Sequence, residues 1–350
     1  MSEKVRVGFI GSGGIAGTHI KYLKMVPGVD VIALSDVSQA AMDARIKEHE
    51  LKDVKTFTDY KPLLKMKDVD AVSVCTPNCM HYRPTVDALR AGKHVIVEKP
   101  MAMSAREAQA MCDAAKKARK VLSIGFQQRF RPDAQFVRRA VAEGQLGDIL
   151  YCRAQALRRR GIPSWGVFGR KDLQGGGPLI DIGVHIIELT HFLIGKPRPI
   201  AASASMATYL GNKRPEATAP WGDWDYKTYT VEDLAVGFVR FEGGATMTIE
   251  ASFAAHLEQD IFATTVMGTK GGAAVGFGPP KVFTDWCGKM INLEPKAMEK
   301  DEAFAAKMRN WIGSIRGADN PAPGEDGVMV QKILDALYLS AEKGREVAIK

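Results

Sequence analysis

One short stretch constrains this chain more than any other. An apolar run, Val5-Arg6-Val7-Gly8-Phe9-Ile10, feeds directly into Gly11-Ser12-Gly13-Gly14-Ile15-Ala16 and then into a helical pattern. In a GxGxxA turn the first glycine allows the tight bend, the second lets a pyrophosphate approach the backbone, and the small third residue lets the helix pack on the sheet. The helix N-terminus then offers free N–H groups and a partial positive charge to the phosphates. The second apolar run ends in Ala33-Leu34-Ser35-Asp36, about twenty residues on, where this fingerprint carries an acid for a ribose diol. Asp36 would repel a 2′-phosphate and Val37-Ser38 offer no arginine to hold one, so NAD is favoured over NADP. The plainer alternative is a glycine turn and a helix-capping Asp with no ligand.

The rest of the first 126 residues repeats the theme of short apolar run, turn and amphipathic stretch. Further runs fall at Val29 to Leu34, Val69 to Val74, His94 to Val97 and Val121 to Phe126, and between the third and fourth a helix is expected from His81 to Ala91, with Gly92 as its left-handed cap. Strands joined by helices of this length pair in parallel, because a tight hairpin cannot join a parallel pair. The expectation is an α/β chain whose residues 1–126 form a doubly wound Rossmann domain. After Arg131-Pro132 the pattern shifts to long strand-like runs at Ile149 to Leu157, Ala235 to Phe241, Ala245 to Phe253 and Ile261 to Met267, with Gly243-Gly244 placed as a hairpin turn. Residues 127–350 are therefore read as an α+β domain with a mainly antiparallel sheet, closed by helices near Ala303 to Ile315 and Val328 to Glu342.

A length of 350 residues suits two domains, and 46% hydrophobic with 25% charged residues is ordinary for a globular protein. No apolar run approaches the ~20 residues that span a bilayer, and the first residues lead straight into a strand, so a soluble cytoplasmic protein is expected. Five scattered cysteines, Cys75, Cys79, Cys112, Cys152 and Cys287, make no disulfide framework and suit a reducing compartment. The net charge of +8 is spread along the chain and interleaved with acids, which argues against a nucleic-acid partner. Its one dense cluster, Arg158-Arg159-Arg160 with Arg170-Lys171 following, is either a solvated loop or an anion-attracting rim over a small-molecule site.

Two more strand ends reach the ligand-binding edge of such a sheet: Cys75-Thr76-Pro77-Asn78-Cys79-Met80-His81 and Val97-Glu98-Lys99-Pro100. A lysine directly after a buried strand either snorkels to solvent or is held in a cleft. A third element, Gly175-Gly176-Gly177-Pro178-Leu179-Ile180-Asp181-Ile182-Gly183-Val184-His185, spaces Asp181 and His185 four apart, on one face if helical. Alcohol oxidation needs a group that takes the hydroxyl proton as hydride leaves, and His is poised for that near neutral pH. Positioned proton transfer of this kind is worth ~100- to 10,000-fold. A hydrogen-bonded core histidine is the plainer alternative. No HExxH or clustered cysteines complete a metal site, and none is expected.

Together these pieces resemble the Gfo/Idh/MocA family of oxidoreductases. The resemblance rests on the glycine turn, Thr76-Pro77-Asn78 with His81, Glu98-Lys99-Pro100, Gly125-Phe126-Gln127-Gln128-Arg129-Phe130, Gly175 to His185, and the late Gly324-Glu325-Asp326-Gly327 with Ser340-Ala341. It implies a second domain with a large open sheet, often used for homo-oligomer contacts, so a dimer or tetramer is expected. It also implies that Gly11, Ser12, Gly13, Gly14, Ile15, Ala16 and Asp36 hold NAD, with Thr76, Pro77, Asn78, His81, Glu98, Lys99 and Gln127 at the nicotinamide end. Lys99, Asp181 and His185 would be catalytic, either Lys99 or His185 taking the proton and Asp181 orienting the histidine or contacting substrate. Arg129, Arg158, Trp165 and Arg170 join them as expected substrate contacts, an aromatic face suiting a sugar ring; for Trp165 packing is an equal alternative. Trp221-Gly222-Asp223-Trp224-Asp225-Tyr226 suggests a carbohydrate contact or a plain surface loop.

The leading functional expectation is hydride transfer at a secondary hydroxyl or keto carbon of a sugar, cyclic polyol or sugar derivative. A glycosidase that uses NAD for transient ring oxidation and elimination, and a non-catalytic NAD-sensing regulator, are the alternatives. Net NADH formation separates the first from the second. Retention of Lys99, Asp181 and His185 speaks against the third.

Overall fold

The computed structural model describes residues 4–217 and 219–350, and contacts divide the chain into two compact units. The first holds the residues up to Gln127 together with Asp301–Val328. Along it run β1 (Val5–Ile10), α1 (Gly14–Leu23), β2 (Val29–Ser35), α2 (Gln39–His49), β3 (Lys55–Phe57), α3 (Tyr60–Leu64), β4 (Ala71–Val74), α4 (Tyr82–Arg90), β5 (His94–Val97), α5 (Ala105–Ala118) and β6 (Leu122–Ile124). The six strands form an all-parallel sheet in the order β3-β2-β1-β4-β5-β6. Val7, Phe9, Leu34, Val72, Val74, Ile96 and Val97 are wholly buried, which is why these strands read as unbroken apolar runs rather than alternating ones. The strand order reverses between β1 and β4, and the crevice outside their carboxyl ends is where such sheets bind ligands. α4 ends as its sequence requires, with Gly92 left-handed at φ 77°.

The second unit, Gln128–Lys300 with Met329–Lys350, begins with α6 (Pro132–Ala142), β7 (Ile149–Leu157) and α7 (Lys171–Gln174). A π-helical turn, Leu179–Gly183, leads into α8 (Val184–Leu193). Then follow β8 (Pro199–Ala207), β9 (Leu234–Phe241), β10 (Thr246–Ser252), β11 (Ile261–Gly268), β12 (Gly271–Val275), β13 (Lys281–Trp286) and β14 (Lys289–Leu293). After them come α9 (Ala303–Ile315), α10 (Gly324–Lys343) and β15 (Val347–Ala348). The nine strands of this unit order as β14-β13-β12-β11-β7-β10-β9-β8-β15, antiparallel throughout except for the parallel pair β7–β10. The β9–β10 hairpin turns at Gly243 and Gly244, both left-handed, as two consecutive positive-φ residues require.

Alternation gives this sheet two unlike faces. Cys152, Ala154, Val239, Met247, Ile249 and Ala251 are buried on one. α10 closes over that face so tightly that a Cβ on Gly237 would lie 2.6 Å from Leu337. The other carries Arg153 ion-paired to Glu250 at 2.7 Å, with Val236 and Met267 almost half exposed. Strands β8 and β12 to β15 have no counterpart among the sequence expectations; in β8 and β12 the reason is that Ala-Ala-Ser-Ala-Ser and Gly-Gly-Ala-Ala lack the bulky alternation that marks a strand. The segment from Asp301 also departs from a boundary drawn once at residue 126. α9 turns Met308, Trp311 and Ile312 onto Ile20 and Leu23 of α1, so it packs with the first unit.

Candidate functional site

Gly11 stands at φ 92°, and a Cβ there would lie 2.4 Å from the Cys75 carbonyl oxygen, so only glycine lets β1 pass β4 at this turn. Around Gly13 and Gly14 a Cβ would meet nothing within 4 Å, leaving the first turn of α1 open to an approaching group. Ala16 is fully buried under the helix. Asp36 is tied to this turn, its carboxylate accepting from the Ser12 backbone N–H at 2.7 Å and the Ser38 N–H at 2.9 Å. Ser12 Oγ, Thr76 Oγ1 and Gln127 Oε1 are buried polar atoms with no protein partner. Each such orphan costs roughly 1–3 kcal/mol unless a ligand or water satisfies it. A phosphate and amide-bearing dinucleotide along this edge fits that donor and acceptor set.

His81, expected at the nicotinamide end, is 1% exposed, with Nδ1 2.7 Å from the Pro100 carbonyl and Nε2 2.9 Å from that of Thr76. Burial holds its pKa below the ordinary value, so a neutral ring donates to one carbonyl and braces the two strand-end turns. Lys99 is half-buried and followed by a cis peptide to Pro100. Glu98 behind it is buried, its Oε2 accepting the Lys99 backbone N–H at 3.2 Å. Its Oε1 lies 2.8 Å from both His19 Nε2 of α1 and Lys307 Nζ of α9. Sequence reasoning missed both partners. The available signal was Lys307 lying inside the apolar stripe Phe304, Met308, Trp311 of an amphipathic helix, where a lysine needs a buried counter-charge.

In the second unit every residue from Gly176 to His191 is buried except Asp181 and His185. The two polar side chains are thus the parts of this stretch that reach toward solvent, as a shared helix face requires. Asp181 sits within the π-helical turn, a distortion frequent at functional sites. The glycine run ahead of it has a steric cause. A Cβ on Gly176 would lie 2.0 Å from the Tyr338 hydroxyl, and one on Gly177 2.0 Å from the Glu232 carbonyl. The buried Glu232 carboxylate accepts from Gly177 N at 2.9 Å, Leu179 N at 3.3 Å and Tyr338 OH at 2.8 Å, pinning the entry to the turn. Burial raises the Glu232 pKa, and these donors act against it.

Arg158 lies with its guanidinium 4.4 Å from the Trp221 ring centroid and 5.5 Å from that of Phe253. Burial lowers its pKa, while Asp181 and Asp260 pull the other way, so Arg158 and Asp181 share one electrostatic neighbourhood. Trp165, 55% exposed, stands 5.4 Å from Trp221, and the Ser164 hydroxyl donates to the Trp221 carbonyl, joining the two loops. Arg170 is committed to Asp172 at 3.0 Å on the surface. Arg129 corrects the sequence expectation of a substrate contact. It is 2% exposed, paired to Glu188 at 2.6 Å and stacked 4.8 Å from the Phe192 ring, a core ion pair rather than a surface one. Among the described residues no group of three His, Cys, Asp or Glu could hold a metal ion.

Comparison with known proteins gives two family models. One, described as an oxidoreductase family with an NAD-binding Rossmann fold, matches residues 5–126, and the other, the GFO/IDH/MocA C-terminal domain, matches residues 134–274. The chain is 36% identical over 351 residues to a D-glucoside 3-dehydrogenase of Escherichia coli (strain K12), covering 99% of this chain and 98% of that protein. A levoglucosan dehydrogenase of Pseudarthrobacter phenanthrenivorans is 28% identical over 291 residues, covering 77% of this chain and 73% of its own. Among solved structures, an oxidoreductase domain protein from Kribbella flavida matches with a TM-score of 0.87 at 27% identity, covering 99% of this chain and 100% of that one.

Proposed function

Because the chain belongs to the Gfo/Idh/MocA family and is an NAD-dependent sugar or polyol oxidoreductase, we propose that it oxidises and reduces a ring secondary carbinol of a D-glucoside-like pyranoside. The observation that carries this reading is the pair Asp181 and His185, part-exposed in a stretch otherwise buried, with Arg158, Trp221 and Trp165 beside it. NAD, when bound, would supply the hydride acceptor for the carbinol carbon. The first N–H groups of α1 and the open backbone of Gly13 and Gly14 hold its phosphates, Asp36 its ribose diol, and Thr76, Asn78 and Gln127 its nicotinamide end. Lys99 and His185 are the two candidates for taking the proton of the reacting hydroxyl, and Asp181 orients the histidine or the substrate. Trp165 and Trp221 offer apolar faces to a sugar ring, and Arg158 donates to its hydroxyls.

Half-exposed Val236 and Met267 on the sheet's second face support a homo-oligomer. Five free cysteines, three of them buried, suit a reducing cytoplasm. No described helix is long and apolar enough to cross a membrane. The test is a panel of glucosides, free sugars and cyclic polyols with NAD and NADP. Net NADH with a keto-sugar product is expected, and glucosides should exceed polyols in kcat/KM. Glycoside cleavage without net NADH would assign the alternative chemistry, and tight NAD binding with no turnover of any carbohydrate would end the proposal.

A further inference from the structure

Behind Lys99 lies a buried charged cluster to which the proposed reaction assigns no role. Glu98, His19 and Lys307 are 5%, 0% and 2% exposed. Lys307 Nζ lies 2.8 Å from Glu98 Oε1 and 2.8 Å from His19 Nε2. His19 Nδ1 lies 2.9 Å from Ser73 Oγ, itself 3.4 Å from the Cys75 thiol. A Cβ on Gly125 would come within 2.4 Å of Glu98 Oε1, so the strand end after β6 also closes on this carboxylate. Four parts of the proposed cofactor site thus meet here: α1 with its phosphate-facing end, β4 leading to Thr76, β5 leading to Lys99, and Gly125 leading to Gln127. The cation that joins them comes from α9, 209 residues beyond Glu98 in the chain.

Apolar side chains of similar volume often fill such a space with no loss of stability, so stability alone does not account for an ion pair here. The second oxygen of Glu98 accepts the Lys99 backbone N–H. We infer that Lys307 is a positioning residue, its ammonium holding Glu98 as a fixed, ionised acceptor and through it setting the backbone of Lys99 and the nicotinamide end of the NAD site. For turnover this rests on the role proposed for Lys99. For cofactor binding and stability it does not.

The protonation states give the inference a signature that packing alone would lack. Burial works to raise the Glu98 pKa, yet Lys307 and His19 overcome it and hold the carboxyl well below the usual range. Burial and Lys307 push His19 down to about 4, so at neutral pH a neutral imidazole stands beside an ionised Glu98. The groups facing Glu98 are His19 from α1, Ser73 from β4 and Cys75 just beyond it, His81 and Lys99 from the adjoining turns, and Lys307 from α9. With a depressed folded pKa, the native locus contributes stability above the unfolded pKa and loses it as pH falls. Replacing Lys307 by methionine strands the carboxylate, and the Glu98–His19 pair takes up a proton in its place. Its folded pKa then lies above the unfolded one, and the sign inverts: the variant is most stable in mild acid and weakens as pH rises.

The experiment uses the full chain as Lys307→Met, Lys307→Arg and the double variant Glu98→Gln/Lys307→Met. NAD dissociation constants and thermal midpoints are measured from mildly acidic to mildly alkaline pH, with kcat and KM on any accepted sugar. In Lys307→Met, NAD affinity should drop roughly tenfold at alkaline pH, the equivalent of one pKa unit, and recover toward acid, with kcat falling more than KM rises. Lys307→Arg should keep the native sign, and the double variant should lose the pH response. If Lys307→Met weakens the protein equally at every pH, or leaves NAD affinity unchanged, the inference is overturned. Should that variant not fold, a pH response persisting in the double variant would overturn it equally. Absence of sugar turnover in the unaltered protein would sink the proposed function while leaving the binding and stability readouts intact.

Discussion

Replacing Asp36 by alanine tests the cofactor reading where the structure allows the magnitude to be worked out. An ionised carboxylate offers about four lone-pair sites. The Ser12 and Ser38 N–H groups occupy two of them, at 2.7 and 2.9 Å. Two remain for a vicinal diol. A hydrogen bond to a charged group contributes roughly 1.5–3 kcal/mol, and in this half-exposed position water replaces part of what is lost, so one bond's worth is the fair figure. That weakens NAD by about 10- to 150-fold. NADP changes in the opposite sense, because a unit charge about 4 Å from another costs about 1 kcal/mol even in bulk water and a phosphate carries nearly two. Relief of that repulsion strengthens NADP about tenfold or more. Titration calorimetry with both dinucleotides on Asp36→Ala, with a thermal midpoint to confirm folding, should show the NAD to NADP preference shrinking by about two orders of magnitude. A preference altered by less than about threefold would refute the assignment of Asp36 to the ribose.

Three further outcomes are expected. His185→Ala and Lys99→Ala should each lower kcat by ~100- to 10,000-fold, and His185→Ala should leave NAD affinity within a few-fold; full turnover in both would remove their assigned roles. Arg129→Met should destabilise the second unit by about 3–5 kcal/mol, and the double change with Glu188→Leu should restore most of it, since the damage comes from stranding a buried charge; denaturant melts decide this, and a raised sugar KM with unaltered stability would return Arg129 to the substrate. Gly11→Ala forces an L-residue to φ 92° against the Cys75 carbonyl, so NAD binding should be lost and the melting temperature lowered, whereas unchanged binding would show that the turn relaxes freely.

What the sequence made legible was local. Val5 to Ile10 runs unbroken because both faces of a central parallel strand are covered, and the GxGxxA turn reads true because Gly11 abuts β4. The four-residue spacing of Asp181 and His185 matches their being the two part-exposed residues between Gly176 and His191. Steric causes at a distance stayed hidden. Gly176 is glycine because Tyr338, over 160 residues on, puts its hydroxyl there, and nothing near Gly176 in the chain records that. Arg129 stands in a motif next to the cofactor residues, yet Glu188, 59 residues further along the chain, claims it for the core. Lys307 escaped for the same reason: its carboxylate lies in another element, and a lysine on an apolar helix face announces only that some partner exists.

The most direct test of the whole account follows the hydride itself. Glucosides deuterated at each ring carbinol carbon in turn are incubated with the purified protein and NAD, and the reduced cofactor is weighed by mass spectrometry. One labelled position should deliver its deuterium to the nicotinamide, with an equal amount of keto-glucoside formed. Deuterium that never reaches the cofactor, or that returns to a cleaved sugar with no net reduced nicotinamide, would contradict it.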